Sequence, residues 1–527
     1  MSVTGAEPPA NKYSDAMAQL PPREVQGIPL IDERNSPASD RTPPVVRTSR
    51  GSVRGFWRGS CATFTGIPYA AAPVGALAFR APRPHEPWDG VRDAVHQGAT
   101  PQRGRTGVTL IPEPSVPGDS TLNVNVFTPA PDPAARLPVL VYIHGGAYAA
   151  GSIASPWYDG AAFAHDGVVT VTLSYRIAFP GFGWVPGSEQ NRGVRDWIAA
   201  LEWVRENIAA FGGDPDRVTI AGQSAGGGAV LTLLGIPQTH HLFHAAWCMS
   251  PTLSLVDRHA SLALSEALAA ALGVENTAEG LGSVPPRELG RAQKPLVASS
   301  RNLAGIRQSV AGGLRMGPTI DGELIDRPTI SAIRAGSGSR IPLVIGSTDD
   351  EFSMVLDPYA RLLRWVPARL ALAIVGFDGE RARAWRAAGG PPRVDAGSEP
   401  LRRRPAAAAL LGQYATDMGF RRHVRRVGDA RRAENTWGYR FAWRSPVSGW
   451  ALHCLDVPFF FDVLHAHGVA RVAGEDPPQD LADEIHGAAV EFITTHALRR
   501  DTWPAATVFD TPTSSLADAY ADARALG

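Results

Sequence analysis

The sequence predicts an α/β protein built on a mostly parallel, doubly wound sheet. Three observations carry that expectation. Leu137-Pro138-Val139-Leu140-Val141-Tyr142-Ile143 and Gly167-Val168-Val169-Thr170-Val171-Thr172-Leu173 are continuous β-branched apolar runs, the pattern of strands buried on both faces. Val194, Trp197, Ile198, Leu201, Val204 and Ile208 recur at helical spacing. Arg217-Val218-Thr219-Ile220 then reads as another strand, so that strand, helix and strand alternate.

Taken in chain order, residues 1–44 are rich in Pro, Ser, Asp and Glu and end in Thr42-Pro43-Pro44. They show no sustained periodicity, and a mobile Pro-rich extension or surface strap is expected. From Val45 short alternating runs such as Val53-Arg54-Gly55-Phe56 suggest half-buried strands. The helix after Val194 is stopped by Phe211-Gly212-Gly213-Asp214-Pro215. Residues 255–300 and 355–430 are Ala/Arg/Leu-rich and predict helical insertions capping the sheet. Pro342-Leu343-Val344-Ile345 is a further buried run, and Trp437–Trp443 is the last strand expected.

Composition narrows the function. The 44% hydrophobic and 19% charged shares are ordinary for a globular protein and exclude wholesale disorder. Lys+Arg and Asp+Glu are both 51, which argues against a nucleic-acid binder. Lysine occurs only at Lys12 and Lys294, neither in a motif, so a Schiff-base lysine has no support. Cys61, Cys248 and Cys454 form no C-x-x-C and no disulfide framework. Glu7, Pro8, Pro9, Lys12 and Asp15 interrupt the start of the chain where an export signal needs an apolar core, so a cytoplasmic location is expected. No apolar run approaches the ~18 residues of a membrane helix.

The chemistry centres on Gly222-Gln223-Ser224-Ala225-Gly226, a G-x-S-x-G between a predicted strand and a helix-prone stretch. A serine on such a turn is exposed, and small flanking residues let strand and helix approach closely. The N–H that follows it lies at a helix N-terminus, where developing negative charge is favoured. His144-Gly145-Gly146-Ala147-Tyr148 follows another predicted strand. A glycine-rich turn there can aim backbone N–H groups at an oxyanion, and losing one such donor typically costs about 2.7–4 kcal/mol. A serine nucleophile further needs an acid and a histidine, in that order along the chain. Asp349, Asp350 and Glu351 follow an apolar run and are all candidates. So are His423, His453, His465, His467, His486 and His496, which composition does not rank.

The chain resembles the type B carboxylesterases, the family of bacterial para-nitrobenzyl esterases and cholinesterases, from about Gly51 to Pro504. Phe64-Thr65-Gly66-Ile67-Pro68-Tyr69-Ala70, Trp88-Asp89-Gly90-Val91-Arg92-Asp93-Ala94, Asn125-Val126-Phe127-Thr128-Pro129, the His144 turn and Phe211–Pro215 carry the likeness. It implies an α/β-hydrolase fold, a single enlarged domain over residues 45–527, and helical insertions over the active site. It implies Ser224 as nucleophile, Glu351 as acid and His453 as base, with oxyanion donors at Gly146, Ala147 and Ala225. Ser250 and Gln223 would support them from behind. Departures are Gln223 in place of a frequent glutamate, Ala147 in place of a third glycine, Phe352 where glycine often follows the acid, and Thr121 at the second cysteine of an early disulfide. A shortened aromatic loop speaks against cholinesterase activity.

The resemblance therefore implies a serine esterase acting on small-molecule esters through an acyl-enzyme, without metal or cofactor, as a monomer or homodimer. The same acyl chemistry covers amides and carbamates. Non-catalytic binding relatives typically lack the serine or the histidine, and here both stand. Activity is expected to fall below about pH 6.5 as His453 protonates. The pairs His465/His467 and His240/His241 lack the partners of a metal motif, and Gly181-Phe182-Gly183-Trp184 lacks the spacing of a dinucleotide loop.

Overall fold

The computed structural model describes residues 29–31, 33–36, 40–101, 110–253, 255–297, 314, 316–354, 363–377, 379–388 and 406–526. Most of the N-terminal extension and parts of both helical insertions therefore lie outside the described residues. Fourteen strands are described: β1 (Val45–Arg47), β2 (Ser52–Arg54), β3 (Phe56–Arg58), β4 (Cys61–Pro68), β5 (Val91–Asp93), β6 (Asn123–Thr128), β7 (Leu137–Ile143), β8 (Val169–Leu173), β9 (Gly213–Gln223), β10 (Ala245–Met249), β11 (Leu343–Thr348), β12 (Thr436–Phe441), β13 (Ala506–Phe509) and β14 (Ser514–Leu516). β1, β2 and β5 form a small separate sheet; the others form one sheet in the order β14-β13-β12-β11-β10-β9-β7-β8-β6-β4-β3. From β8 to β13 neighbours run parallel, and antiparallel pairs finish both edges.

The helices used below are α1 (Arg192–Asn207), α2 (Ala225–Gly235), α3 (Arg258–Leu272), α4 (Pro286–Val297), α5 (Thr329–Arg334), α6 (Ala406–Thr416), α7 (Arg422–Asp429) and α8 (Gln479–Thr495). Alternation along the strands separates two cores. Val139, Val141 and Ile143 of β7 face one side with Trp197, Leu201 and Val204 of α1. Leu140 and Tyr142 face the other with Ile485, Phe492 and Ile493 of α8. This is why the β7 run has no polar alternation: both faces are covered by helices.

The expected β7 has the bounds read from sequence, and β8 begins two residues later than its run. Gly212, at φ 88°, ends the segment after α1, and β9 begins at the next residue, earlier than expected. The described parts of the insertions carry helices, among them α3 and α4 in the first and α6 and α7 in the second. β13 and β14 were not anticipated, being too short to show a period. Ile31, from the end of the extension, is buried beside Cys61, Phe127 and Ala164. Among the described residues no helix is long and apolar enough to cross a membrane.

Chain ends of the parallel strands converge on one edge. β7 runs into the His144 turn, β9 into Ser224, β11 into Glu351, and the segment after β12 into His453. The approach of α2 to the sheet is close enough to need glycine. A Cβ on Gly226 would lie 2.0 Å from Ile143 O, a backbone atom that has little room to retreat. Gly226→Ala is expected to destabilise the protein by about 1–3 kcal/mol through overpacking. Urea denaturation measures this, and an unchanged midpoint would contradict the spacing.

Candidate active site

Ser224 occupies the turn between β9 and α2 with φ 60° and ψ −120°, a strained conformation for any residue with a side chain. Three backbone bonds hold it there. Ser224 N donates to Met249 O at 2.9 Å, and Ser224 O accepts from Gly228 N at 2.9 Å and Thr252 N at 3.3 Å. The conformation presents the hydroxyl to His453, whose Nε2 is 3.0 Å from Ser224 Oγ. The other ring nitrogen, Nδ1, is hydrogen-bonded to Glu351 Oε2. Glu351 Oε1 accepts from Thr348 N at 2.9 Å, which fixes the carboxylate. Asp350 N donates to Ala451 O at 3.0 Å and His453 N to Glu351 O at 3.1 Å, so the two loops are tied directly.

The structure separates the three adjacent acids. Asp349 is gripped by Arg440 through both carboxylate oxygens at 2.8 Å. Burial opposes its ionisation, but Arg440 outweighs it and holds Asp349 below its usual range. Asp350 is pushed up to about 6 by burial, partly offset by Arg444, which bonds it at 3.2 Å. Only Glu351 reaches His453. The other histidines are elsewhere: His486 bonds Phe460 O, His496 stacks on His244, and His465 and His467 are exposed. His423 is buried and driven down to about 3, by burial and then by Arg422 and Arg426.

The turn after β7 has three consecutive residues at positive φ: Gly146 (110°), Ala147 (54°) and Tyr148 (58°). Ala149 N and Ala150 N both donate to Gly146 O at 2.9 Å and brace it. The turn lies against the elbow, since a Cβ on Gly145 would stand 2.7 Å from Gln223 O and 3.1 Å from Ser224 Cβ. The N–H groups of Gly146, Ala147 and Ala225 make no hydrogen bond to the described residues. His144 stacks on Tyr175 with ring centroids 4.4 Å apart, and burial lowers it to about 4, so it is neutral.

Gln223 is also beside the imidazole. Its Nε2 is 3.3 Å from His453 Nε2 and 3.5 Å from Nδ1, while its Oε1 accepts from Cys454 Sγ at 3.3 Å. Ser250 differs from expectation: its hydroxyl is buried with no hydrogen-bond partner among the described residues. Sequence reasoning missed Phe420, whose ring is 4.7 Å from that of His453 and packs edge-on against Phe352, itself 5.3 Å from the imidazole. Phe420 lies in the second helical insertion, without a motif to mark it.

The carboxylesterase family model matches residues 42–516. The chain belongs to the carboxylesterase family. As a family member with an α/β-hydrolase fold, it is a carboxylic-ester hydrolase. The para-nitrobenzyl esterase of Bacillus subtilis is 32% identical, over 88% of this chain and 93% of that one. The phenmedipham hydrolase of Pseudarthrobacter oxydans is also 32% identical, over 88% and 92%. Carboxylesterase EST55 of Geobacillus stearothermophilus superposes with a TM-score of 0.73 at 33% identity, covering 91% of this chain and 99% of that one. A para-nitrobenzyl esterase structure gives 0.75 at 28% identity, over 92% and 99%.

In this carboxylesterase burial disfavours charge on His453, but the neighbouring Cys454 and Glu351 outweigh it and lift the imidazole well above its ordinary value. Burial also raises the Cys454 thiol, while His453 and Glu351 lie close enough to act on it. The His453 imidazole is therefore expected to titrate above 6.5 by NMR. Glu351→Gln removes the anion, leaves the burial and moves the midpoint down. A midpoint unmoved by that substitution would contradict the pairing.

Proposed function

We propose that Ser224, His453 and Glu351 form the catalytic triad of a serine esterase acting on small-molecule carboxylic esters. The observation that carries the proposal is the hydrogen-bonded chain from Ser224 Oγ through His453 to Glu351. His453 Nε2 takes the Ser224 proton as Oγ attacks the ester carbonyl, and then delivers it to the departing alcohol. Glu351 fixes the tautomer and stabilises the imidazolium. The N–H groups of Gly146, Ala147 and Ala225 stabilise the oxyanion, a role supported by their lack of partners among the described residues. Water, activated by the same imidazole, then releases the acid from the acyl-enzyme.

Residues 45–527 are read as one enlarged hydrolase unit behind the extension 1–44. The main sheet supports this, because it draws strands from Phe56 to Leu516. Gln223 places a neutral amide where a carboxylate would favour cationic substrates, which supports neutral esters. Relatives equally distant at 32% identity are named for para-nitrobenzyl esters, fumonisin B1 and phenmedipham, so identity alone does not choose the substrate.

Ser224→Ala is expected to abolish both ester turnover and labelling by a phosphonate; an active, labelled variant would sink the assignment. On matched ester, amide and carbamate substrates, the ester should show the highest kcat/KM, and the reverse order would overturn the ester reading. Because His453 must be neutral to accept a proton and its pKa is raised, kcat/KM should fall as pH drops through a value above 6.5. In Glu351→Gln that limb moves to lower pH, and kcat falls by about 10⁴-fold.

A further inference from the structure

A cavity of about 540 Å³ between α5, α7 and the C-terminal segment is lined by Arg334, Arg422, Arg425, Arg426 and Arg524, with Asp429 its one acidic residue. Two of these cations are already neutralised. Arg425 bonds Asp429 and Asp518, both at 2.6 Å, and Arg524 bonds Asp518 at 2.7 Å. Arg334 and Arg426 make no hydrogen bond or ion pair with the described residues, and Arg426 Nε is buried without an acceptor. The chain as a whole carries equal numbers of cationic and anionic side chains, so this excess is local.

Arginine being the chain's usual cation, its presence on a surface means little. Convergence is different, because like charges around a concave, partly dry space repel one another unless something anionic lies between them. Burial and Arg334 both work against the charge on Arg426. The same field reaches His423 on α7, which Arg422 and Arg426 help to keep neutral. Guanidinium forks facing a pocket match the paired oxygens of phosphate and carboxylate groups.

We propose that this cavity is a binding site, separate from the triad, for a small polyanion bearing two or more phosphate or carboxylate groups. Arg334 and Arg426 are its principal ligands, and Arg422 lines it beside them. Isothermal titration of the full-length protein at matched ionic strength tests this with inorganic pyrophosphate and, separately, citrate. Saturable binding at one site per chain is expected, with a raised melting temperature. Binding should persist in enzyme already blocked at Ser224 by a phosphonate, which separates it from the active site. Arg334→Gln and Arg426→Gln should each weaken binding by about tenfold or more. Without anion each variant should melt no lower than the parent, since it loses repulsion and no partner; a purely structural arginine would do the opposite. Pyrophosphate binding alone identifies the phosphate class, and citrate binding alone the polycarboxylate class. The proposal is overturned if neither binds saturably, or if both substitutions leave binding unchanged.

Discussion

The site depends on how closely two turns of backbone can approach. The elbow after β9 and the turn after β7 touch where Gly145 meets Gln223 O and Ser224 Cβ, and α2 meets the sheet where Gly226 faces Ile143 O. Neither approach has room for a side chain. Because the sheet is parallel there, both turns leave it at the same edge, so one contact fixes Ser224 and the free N–H groups together. The strain at Ser224 is sustained by that contact and by three backbone bonds around it.

A second constraint is the management of buried charge. Three consecutive carboxylates and Asp456 crowd one imidazole, and they are kept apart by different means. Arg440 neutralises Asp349, Arg444 and a backbone N–H engage Asp350, and only Glu351 is turned to His453. Asp456 is raised to about 7 by burial and then by Glu351, and it accepts from the Tyr439 hydroxyl at 2.8 Å. The upward shift opposes a second anion beside Glu351. Phe352 and Phe420 pack together against one side of the ring and add apolar surface beside the His453–Glu351 pair.

Much of this was legible before any coordinates, and the exceptions have physical reasons. Long strands buried on both faces declare themselves, as β7 did; four-residue β13 does not. Ser224 is marked because the chemistry demands small neighbours at fixed offsets. Glu351 is not, since the arginines that engage Asp349 and Asp350 lie more than 90 residues downstream. Resemblance pointed to Glu351, and geometry explains why the other two are occupied. Phe420 carried no local signal at all, because its only connection to His453 is through the fold. Ser250 is a position suggested by resemblance whose hydroxyl makes no hydrogen bond among the described residues.

The order of strands in the sheet has a temporal consequence. Ser224 and His453 are 229 residues apart, and β11 and β12 must add beside β10 before the imidazole can arrive. At about 5–20 residues per second of synthesis, that gap corresponds to roughly ten to fifty seconds. During it Ser224 has no imidazole beside it. The hydrogen-bonded chain from Ser224 through His453 to Glu351 is thus complete only when most of the polypeptide has been built.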